Sequence, residues 1–345
     1  MTYKADPVRY DTMPYRYSGK SGLKLPVISL GLWQNFGGTR DHNSAVEILS
    51  HAFDAGVTHF DLANNYGPPA GSSEALFGDI LARAFRPYRD ELIISSKAGY
   101  TMWPGPYGEF GSRKYLIASC DQSLKRMGLD YVDIFYSHRF DPNTPLEETM
   151  GALAHLHRQG KALYVGISSY PEKETREAHR LLAEMGIPCT IHQPSYSMLN
   201  RWIESDKTVD ACAELGIGMI AFAPLAQGVL SGKYNQGTLE GTRAGRKGSS
   251  VLPSHVTPQV LDAVQRVDEI AKSRGQSLVQ LALAWVLRRP EMTSALIGVR
   301  NLEQLKENLG VLNNLDLSTE EIAAIDAATV AGQINLHPRP SGWLR

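Results

Sequence analysis

The sequence predicts an α/β protein whose eight parallel strands close into a barrel wrapped by helices, the (β/α)8 TIM-barrel class. Three observations carry this reading. Short apolar runs of strand character alternate eight times with segments whose apolar residues recur at helical spacing. Each run is apolar almost throughout, as expected of a strand covered on both faces, and lacks the in–out alternation of a half-wet sheet. No shift in composition divides the 345 residues, so one domain over 1–345 is expected, with a core of about 15–328 and a tail at 329–345. A doubly wound open sheet uses the same units and is the alternative.

The elements follow in order along the chain. YRYSGKSGLKLP (15–26) reads as a glycine-turned hairpin placed to plug the bottom of the barrel. LPVISLGLW (25–33) is the first strand, and a helix over 43–55 follows it. VTHFDL (57–62) leads to a helix at 73–85, and ELIISSKAG (91–99) to one at 112–127. YVDIFYSH (131–138) precedes 145–159, ALYVGISS (162–169) precedes 173–184, and CTIHQPS (189–195) precedes 206–214. IGMIAFAPL (217–225) is the seventh strand. The eighth, TSALIGV (293–299), starts about 75 residues after the seventh starts, and the gap holds a Gly- and Arg-rich loop, GTRAGRKGSS (241–250). A loop of that length in a compact fold is usually functional. Helices at about 258–273 and 276–288 fill the rest, and further elements are expected at the C-terminus. The tail ending HPRPSGWLR shows no periodicity, although Trp343 is able to cover a neighbour.

Composition excludes several function classes. A net charge of −1 offers no electrostatic case for nucleic acid or an anionic membrane as partner. No apolar run approaches the roughly 20 residues of a membrane span, and the N-terminus lacks the apolar region of a signal peptide. Cys120, Cys189 and Cys212 are odd in number and far apart, which fits reduced thiols filling a core in the cytoplasm. No metal-ligand spacing is present, and GVLSGK (228–233) is one residue short of a P-loop.

Barrels of this class carry their chemistry at the C-terminal ends of the strands. Those positions hold Trp33, Asp61, Lys97, His138, Ser168, Gln193 and Phe222, with Tyr66 on the loop five residues past Asp61. Each has an ordinary reading alone: a loop carboxylate or a solvated strand-end lysine. A carboxylate, an ammonium and an imidazole converging from three adjacent strands are hard to explain by packing, because buried charges must be paired. A nearby ammonium favours the phenolate, so Lys97 is expected to lower the pKa of Tyr66 while Asp61 keeps Lys97 charged. Tyr66 then serves as general acid toward a carbonyl oxygen, with His138 as a second donor. No side chain is a hydride source, which points to a nicotinamide cofactor. A barrel aldolase with Lys97 as Schiff-base nucleophile uses the same residues differently. Tyr100, Trp103, Tyr107 and Phe110, after the third strand, are expected to wall a substrate pocket with Trp33. Arg139 meets either an anionic substrate group or a neighbouring acid. His155 and His157 are read as surface residues, and His192 points away from Gln193 by strand alternation.

These residues carry a resemblance to the aldo-keto reductases that runs from about Tyr15 to Ala328. GVTHFDLANNYG (56–67) is similar to the family's first signature, and Asp61, Tyr66, Lys97 and His138 match its catalytic tetrad in order. FAPLAQGVLSGKY (222–234) and IGVRNLEQLKENL (297–309) resemble the branch that includes voltage-gated potassium channel β subunits. The resemblance implies NADPH-dependent reduction of small aldehydes, glyceraldehyde 3-phosphate-like or methylglyoxal-like, with hydride from the nicotinamide and a proton from Tyr66. It places Phe222 on the nicotinamide, Ser168 and Gln193 on its carboxamide, and Trp33 and Asp61 beside it. Ala223, Leu225, Gln227, Lys233 and Arg243 fall around the pyrophosphate. Gly298, Arg300, Gln304, Glu307 and Asn308 fall around the adenosine, where Arg300 suits the 2′-phosphate of NADP(H). It further implies a substrate pocket of Trp33, Tyr66, Tyr100, Trp103 and His138, and a homo-oligomer, a tetramer or a multiple of one. Three positions depart from the family pattern. Ser169 replaces a usual asparagine, Phe222 a more frequent tyrosine or tryptophan, and Ile297-Gly298-Val299-Arg300 the run Ile-Pro-Lys-Ser, which leaves the phosphate to Arg300. The branch also leaves open a cofactor-bound regulatory subunit.

Overall fold

The computed structural model describes residues 3–234, 244–245 and 251–334. Eight strands form a closed ring: β3 (Ile28–Gly31), β4 (His59–Asp61), β5 (Ile93–Ala98), β6 (Val132–Ser137), β7 (Ala162–Ser168), β8 (Cys189–Gln193), β9 (Gly218–Phe222) and β10 (Met292–Ile297). All adjacent pairs are parallel, and β10 closes the ring by pairing with both β9 and β3, as in Leu296↔Phe222 and Ala295↔Ile28. Closure rules out the open doubly wound sheet. The expected eight strands are therefore the observed eight, trimmed by a few residues at their ends.

One expected strand is split. Leu25 and Pro26 belong to β2 (Lys24–Pro26), which pairs antiparallel with β1 (Tyr15–Tyr17), and the barrel strand begins only at Ile28. The break falls after a proline, which has no N–H for a ladder, and Val27 N turns back to Pro14 O. The β1–β2 hairpin sits at the N-terminal ends of the strands. Lys20 N donates to Gly216 O, Ser18 Oγ to Thr190 O, and Arg16 to the carbonyls of Leu287 and Met292. Leu23 and Leu25 enter the lumen and pack with Ile134, Tyr136, Ile191 and Ile220. Truncation of the wholly buried Leu25 to alanine is expected to cost about 2–5 kcal/mol. A fall in the urea unfolding midpoint measures it, and an unchanged midpoint removes the hairpin from the folding core.

The helices follow from caps and periodicity. In α1 (His42–Asp54) the buried residues Ala45, Ile48, Leu49, Ala52 and Phe53 recur at one-face spacing, and Asp41 caps Ser44 N. Next come α2 (Ser72–Ile80), α3 (Arg113–Met127), α4 (Leu146–Arg158), α5 (Glu172–Glu184), a short α6 (Trp202–Ser205) and α7 (Thr208–Leu215). The helix expected to reach residue 85 is α-helical only to Ile80, then widens into a π-turn over Leu81–Phe85 ahead of Pro87. Before β10 lie α8 (Pro258–Ser273) and α9 (Leu278–Leu287). The latter is buried almost all round because α8 and α10 (Leu302–Leu309) cover what the barrel does not. After α10, α11 (Thr319–Thr329) packs on α8. Trp343 lies outside the described residues. Cys120, Cys189 and Cys212 are buried free thiols. His155 and His157 are half-buried rather than on the open surface, and His157 Nδ1 lies 3.2 Å from Ala162 O.

Candidate active site

Strand pairing sets the innermost layer. Asp61 ends β4 in register with Gly31 on one side and Ser95 on the other, and Lys97 lies two residues further along β5, on the same face as Ser95. Asp61 and Lys97 are both wholly buried, and Lys97 Nζ donates to Asp61 Oδ2 at 2.5 Å and to Leu62 O at 2.6 Å. Ser95 Oγ (2.8 Å) and Gln193 Nε2 (3.0 Å) donate to Asp61 Oδ1. The pair satisfies the condition for a buried charge, an ion partner plus hydrogen bonds on the remaining lone pairs.

Tyr66 and His138 stand above this layer. Their rings meet edge-on with centroids 6.0 Å apart, Trp33 lies 6.5 Å from Tyr66, and Tyr100 packs on His138 at 4.6 Å. Lys97 Nζ is 4.9 Å from the centre of the Tyr66 ring. The expected direction of the Tyr66 shift is reversed: burial pushes the phenol well above its ordinary value, and Asp61, Tyr100 and Tyr136 add to the rise. The nearby ammonium does not overcome that desolvation. Burial lowers the Lys97 value, opposed by Asp61. Burial, Lys97 and Arg139 hold His138 well below its ordinary range, so its imidazole is neutral at physiological pH.

All four open onto or underlie one cavity of about 390 Å³ at the C-terminal ends of the strands, within the size range of small-molecule and cofactor sites. Trp33, Asp61, Ser168, Gln193, Phe222, Ala223, Leu225, Gln227, Lys233, Gly298, Arg300, Gln304, Glu307 and Asn308 line it together, as do Tyr66, Tyr100 and His138. Arg243 lies outside the described residues. Lys97 sits beneath the cavity rather than in its wall. Trp103 does not line it either: its ring packs on Tyr115 at 5.1 Å. Phe110 lies under the Arg139 guanidinium, and Tyr107 is largely exposed. Arg139 resolves toward the neighbouring acid, donating to Glu109 at 3.0 Å and to Gly99 O while stacked on Tyr100.

Backbone strain marks the same region. Five non-glycine residues with positive φ follow strand ends here: Gln34 (59°), Ser169 (57°), Ala223 (54°), Ala226 (47°) and Gln227 (57°). Such conformations persist where surrounding structure enforces them, often at ligand sites. Asn35, Asn65, Ser231 and Tyr234 also line the cavity and were not singled out from sequence. Asn65 follows Asn64 on the loop carrying Tyr66, which was the available signal.

The residues fit a dinucleotide. Phe222 adds an aromatic side chain to the cavity lining, while buried His138 Nδ1 and Asn65 Oδ1 find no partner among the described residues. Ser168 and Gln193 are partly engaged already, Ser168 Oγ with Gln193 O at 2.8 Å and Gln193 Nε2 with Asp61. Each retains capacity, the Gln193 amide oxygen above all. At the far strand, Asn301 caps α10 and Gln304 Oε1 accepts from Arg300 N at 2.9 Å, which fixes the turn carrying Arg300. Among the described residues no cluster of three metal-ligating side chains occurs, and no helix is long and apolar enough to cross a membrane.

Comparison with known proteins agrees with this geometry. The sequence pattern of the aldo/keto reductase family matches residues 27–330. The chain is 56% identical over 339 residues to L-glyceraldehyde 3-phosphate reductase from Escherichia coli O157:H7 and from Escherichia coli strain K12, covering 97% of this chain and 98% of theirs. A putative voltage-gated potassium channel subunit beta from Schizosaccharomyces pombe is 34% identical over 318 residues, 90% of this chain and 91% of its own. An eight-stranded barrel with this layer of residues at its C-terminal mouth, matched over nearly its whole length, belongs to the aldo/keto reductase family.

Proposed function

We propose that the protein reduces small aldehydes, of the glyceraldehyde 3-phosphate or methylglyoxal kind, to alcohols with NADPH. The observation that supports it best is the placement of Tyr66 and His138, edge to face, above the buried Asp61–Lys97 pair in the wall of the cavity that Phe222 also lines. A bound nicotinamide would supply the hydride that these side chains cannot. Tyr66 gives its phenolic proton to the carbonyl oxygen as negative charge builds there, and neutral His138 donates a second hydrogen bond to that oxygen. The high Tyr66 value suits this role: the proton is present at every physiological pH, and the developing alkoxide, a far stronger base, draws it off. Lys97 then compensates the phenolate it lies beside, while Asp61 holds Lys97 in place.

The direct test mixes the protein with NADPH and either methylglyoxal or a glyceraldehyde phosphate and follows cofactor absorbance. Aldehyde-dependent oxidation is expected, and its absence overturns the reading. Arg300 is assigned the 2′-phosphate, so Arg300→Gln is expected to raise KM for NADPH about tenfold and leave that for NADH within about twofold. Equal effects on both cofactors remove Arg300 from phosphate recognition.

A regulatory subunit that keeps its cofactor is the second reading, favoured by the 34% identical relative. It predicts NADPH binding without aldehyde-dependent turnover. The aldolase reading is disfavoured by geometry, since Lys97 is wholly buried and held by Asp61 and Leu62 O. Assembly as a homo-oligomer, a tetramer or a multiple of one, belongs to the proposal and is read by sedimentation equilibrium.

A further inference from the structure

Beneath the cavity a line of polar side chains crosses four strands. Ser294 Oγ on β10 lies 2.7 Å from Ser29 Oγ on β3, which is 2.9 Å from His59 Nδ1 on β4. His59 Nε2 is 2.9 Å from Ser95 Oγ on β5, which donates to Asp61 Oδ1. All five residues are fully buried. The polarity of this line follows from its end. Asp61, the carboxylate partner of Lys97, only accepts, so the single hydroxyl proton of Ser95 points at it. Ser95 then only accepts from His59, which places the histidine proton on Nε2. Nδ1 in turn accepts from Ser29, and Ser29 from Ser294.

We infer that His59 and Ser95 are positioning residues for the Asp61–Lys97 pair: a one-way hydrogen-bond chain, Ser294 to Ser29 to His59 to Ser95, ends on Asp61 Oδ1. This rests on the role given to that pair above. With Oδ1 held by Ser95 and Gln193, Oδ2 is left facing Lys97, and the ammonium is fixed beside the Tyr66 ring. The direction of the chain goes with a neutral histidine, because a cation would donate from Nδ1 as well and turn the Ser29–Ser294 pair around. The charged groups near His59 are Asp61 on its own strand and Lys97 on β5, while β3 and β10 present only hydroxyls here. Burial pushes His59 down to about 4, so the chain persists through the physiological range. The pattern His59-x-Asp61 and Ser95-x-Lys97 places each pair on one strand face, yet nothing in the sequence shows that Ser29 and Ser294 meet them.

Two measurements test this. In ligand-free protein labelled with 15N-histidine, His59, assigned through His59→Gln, is expected as the neutral Nε2–H tautomer from pH 5.5 to 8; the Nδ1–H tautomer or a cation overturns the chain. In Ser95→Ala the Lys97 ammonium 15N resonance is expected to move, and kcat for aldehyde to fall about tenfold with KM little changed, as loss of one hydrogen bond to a buried carboxylate implies. Ser95→Thr restores both. An unmoved Lys97 resonance, or Ser95→Ala with full kcat and only lowered thermal stability, overturns the positioning role. A wild-type protein that reduces no aldehyde sinks the functional reading alone, since the tautomer and the Lys97 resonance are read without turnover.

Discussion

Tyr66→Phe is expected to lower kcat for aldehyde reduction roughly 1,000-fold, within the range that a lost general acid produces, while NADPH binds as before. The substitution removes one oxygen and keeps the ring that packs against Trp33 and His138, so neither a cavity nor a lost wall confounds the result. Cofactor affinity, read by fluorescence titration, separates a chemical defect from a binding defect. The pH dependence of the wild type follows from the same burial. Tyr66 is held above its ordinary value, so loss of its proton imposes no fall in kcat up to about pH 9. His138 is held below its ordinary range, so its protonation imposes none down to about pH 6. A flat kcat between those limits is expected. A variant that turns over at the wild-type rate, or an alkaline limb near neutrality, removes Tyr66 as the proton donor.

The strands were legible because both faces of each are covered, leaving eight unbroken apolar runs with few rivals. Where the structure departs from expectation, the cause is non-local. Leu25 and Pro26 look like the start of a barrel strand, and only their pairing with Tyr15 and Arg16 places them in the plug. Trp103 and Tyr100 stand three residues apart on one loop. The Tyr115 ring, on the following helix, draws Trp103 out of the cavity, while His138 holds Tyr100 in it. Asp61, Lys97 and His138 are visible at successive strand ends and Tyr66 on the loop after the first of them, but not the sign of the Tyr66 shift. That sign is a contest between desolvation and a charge at a distance, and sequence supplies the groups without the distances. Arg139 shows the same limit, since its partner Glu109 lies on the preceding loop.

Asp61→Asn is expected to destabilise the fold by about 3–5 kcal/mol, because it strips the counter-charge from a wholly buried ammonium. The new amide makes matters worse. Its NH2 must face either Lys97 or the Ser95 and Gln193 donors that now meet Oδ1, and each choice sets donor against donor. Lys97→Met is the milder change, since Asp61 then keeps Ser95 and Gln193. The pH response separates charge from packing. Lys97 holds its proton less tightly folded than unfolded, since burial depresses its value from the ordinary 10.5. Between the folded value and 10.5 the unfolded chain binds more protons, so stability rises with pH across that window. Asp61 is the largest influence opposing the depression, and without it the folded value drops and the window extends toward neutrality. Urea unfolding of Asp61→Asn is thus expected to gain stability from pH 7 to 9 more steeply than the wild type, and the double variant Asp61→Asn/Lys97→Met to lose that slope. If Asp61→Asn lies within about 1 kcal/mol of wild type with the same pH slope, Lys97 was not carrying a buried charge, and the phenolate at Tyr66 would have no cation to compensate it.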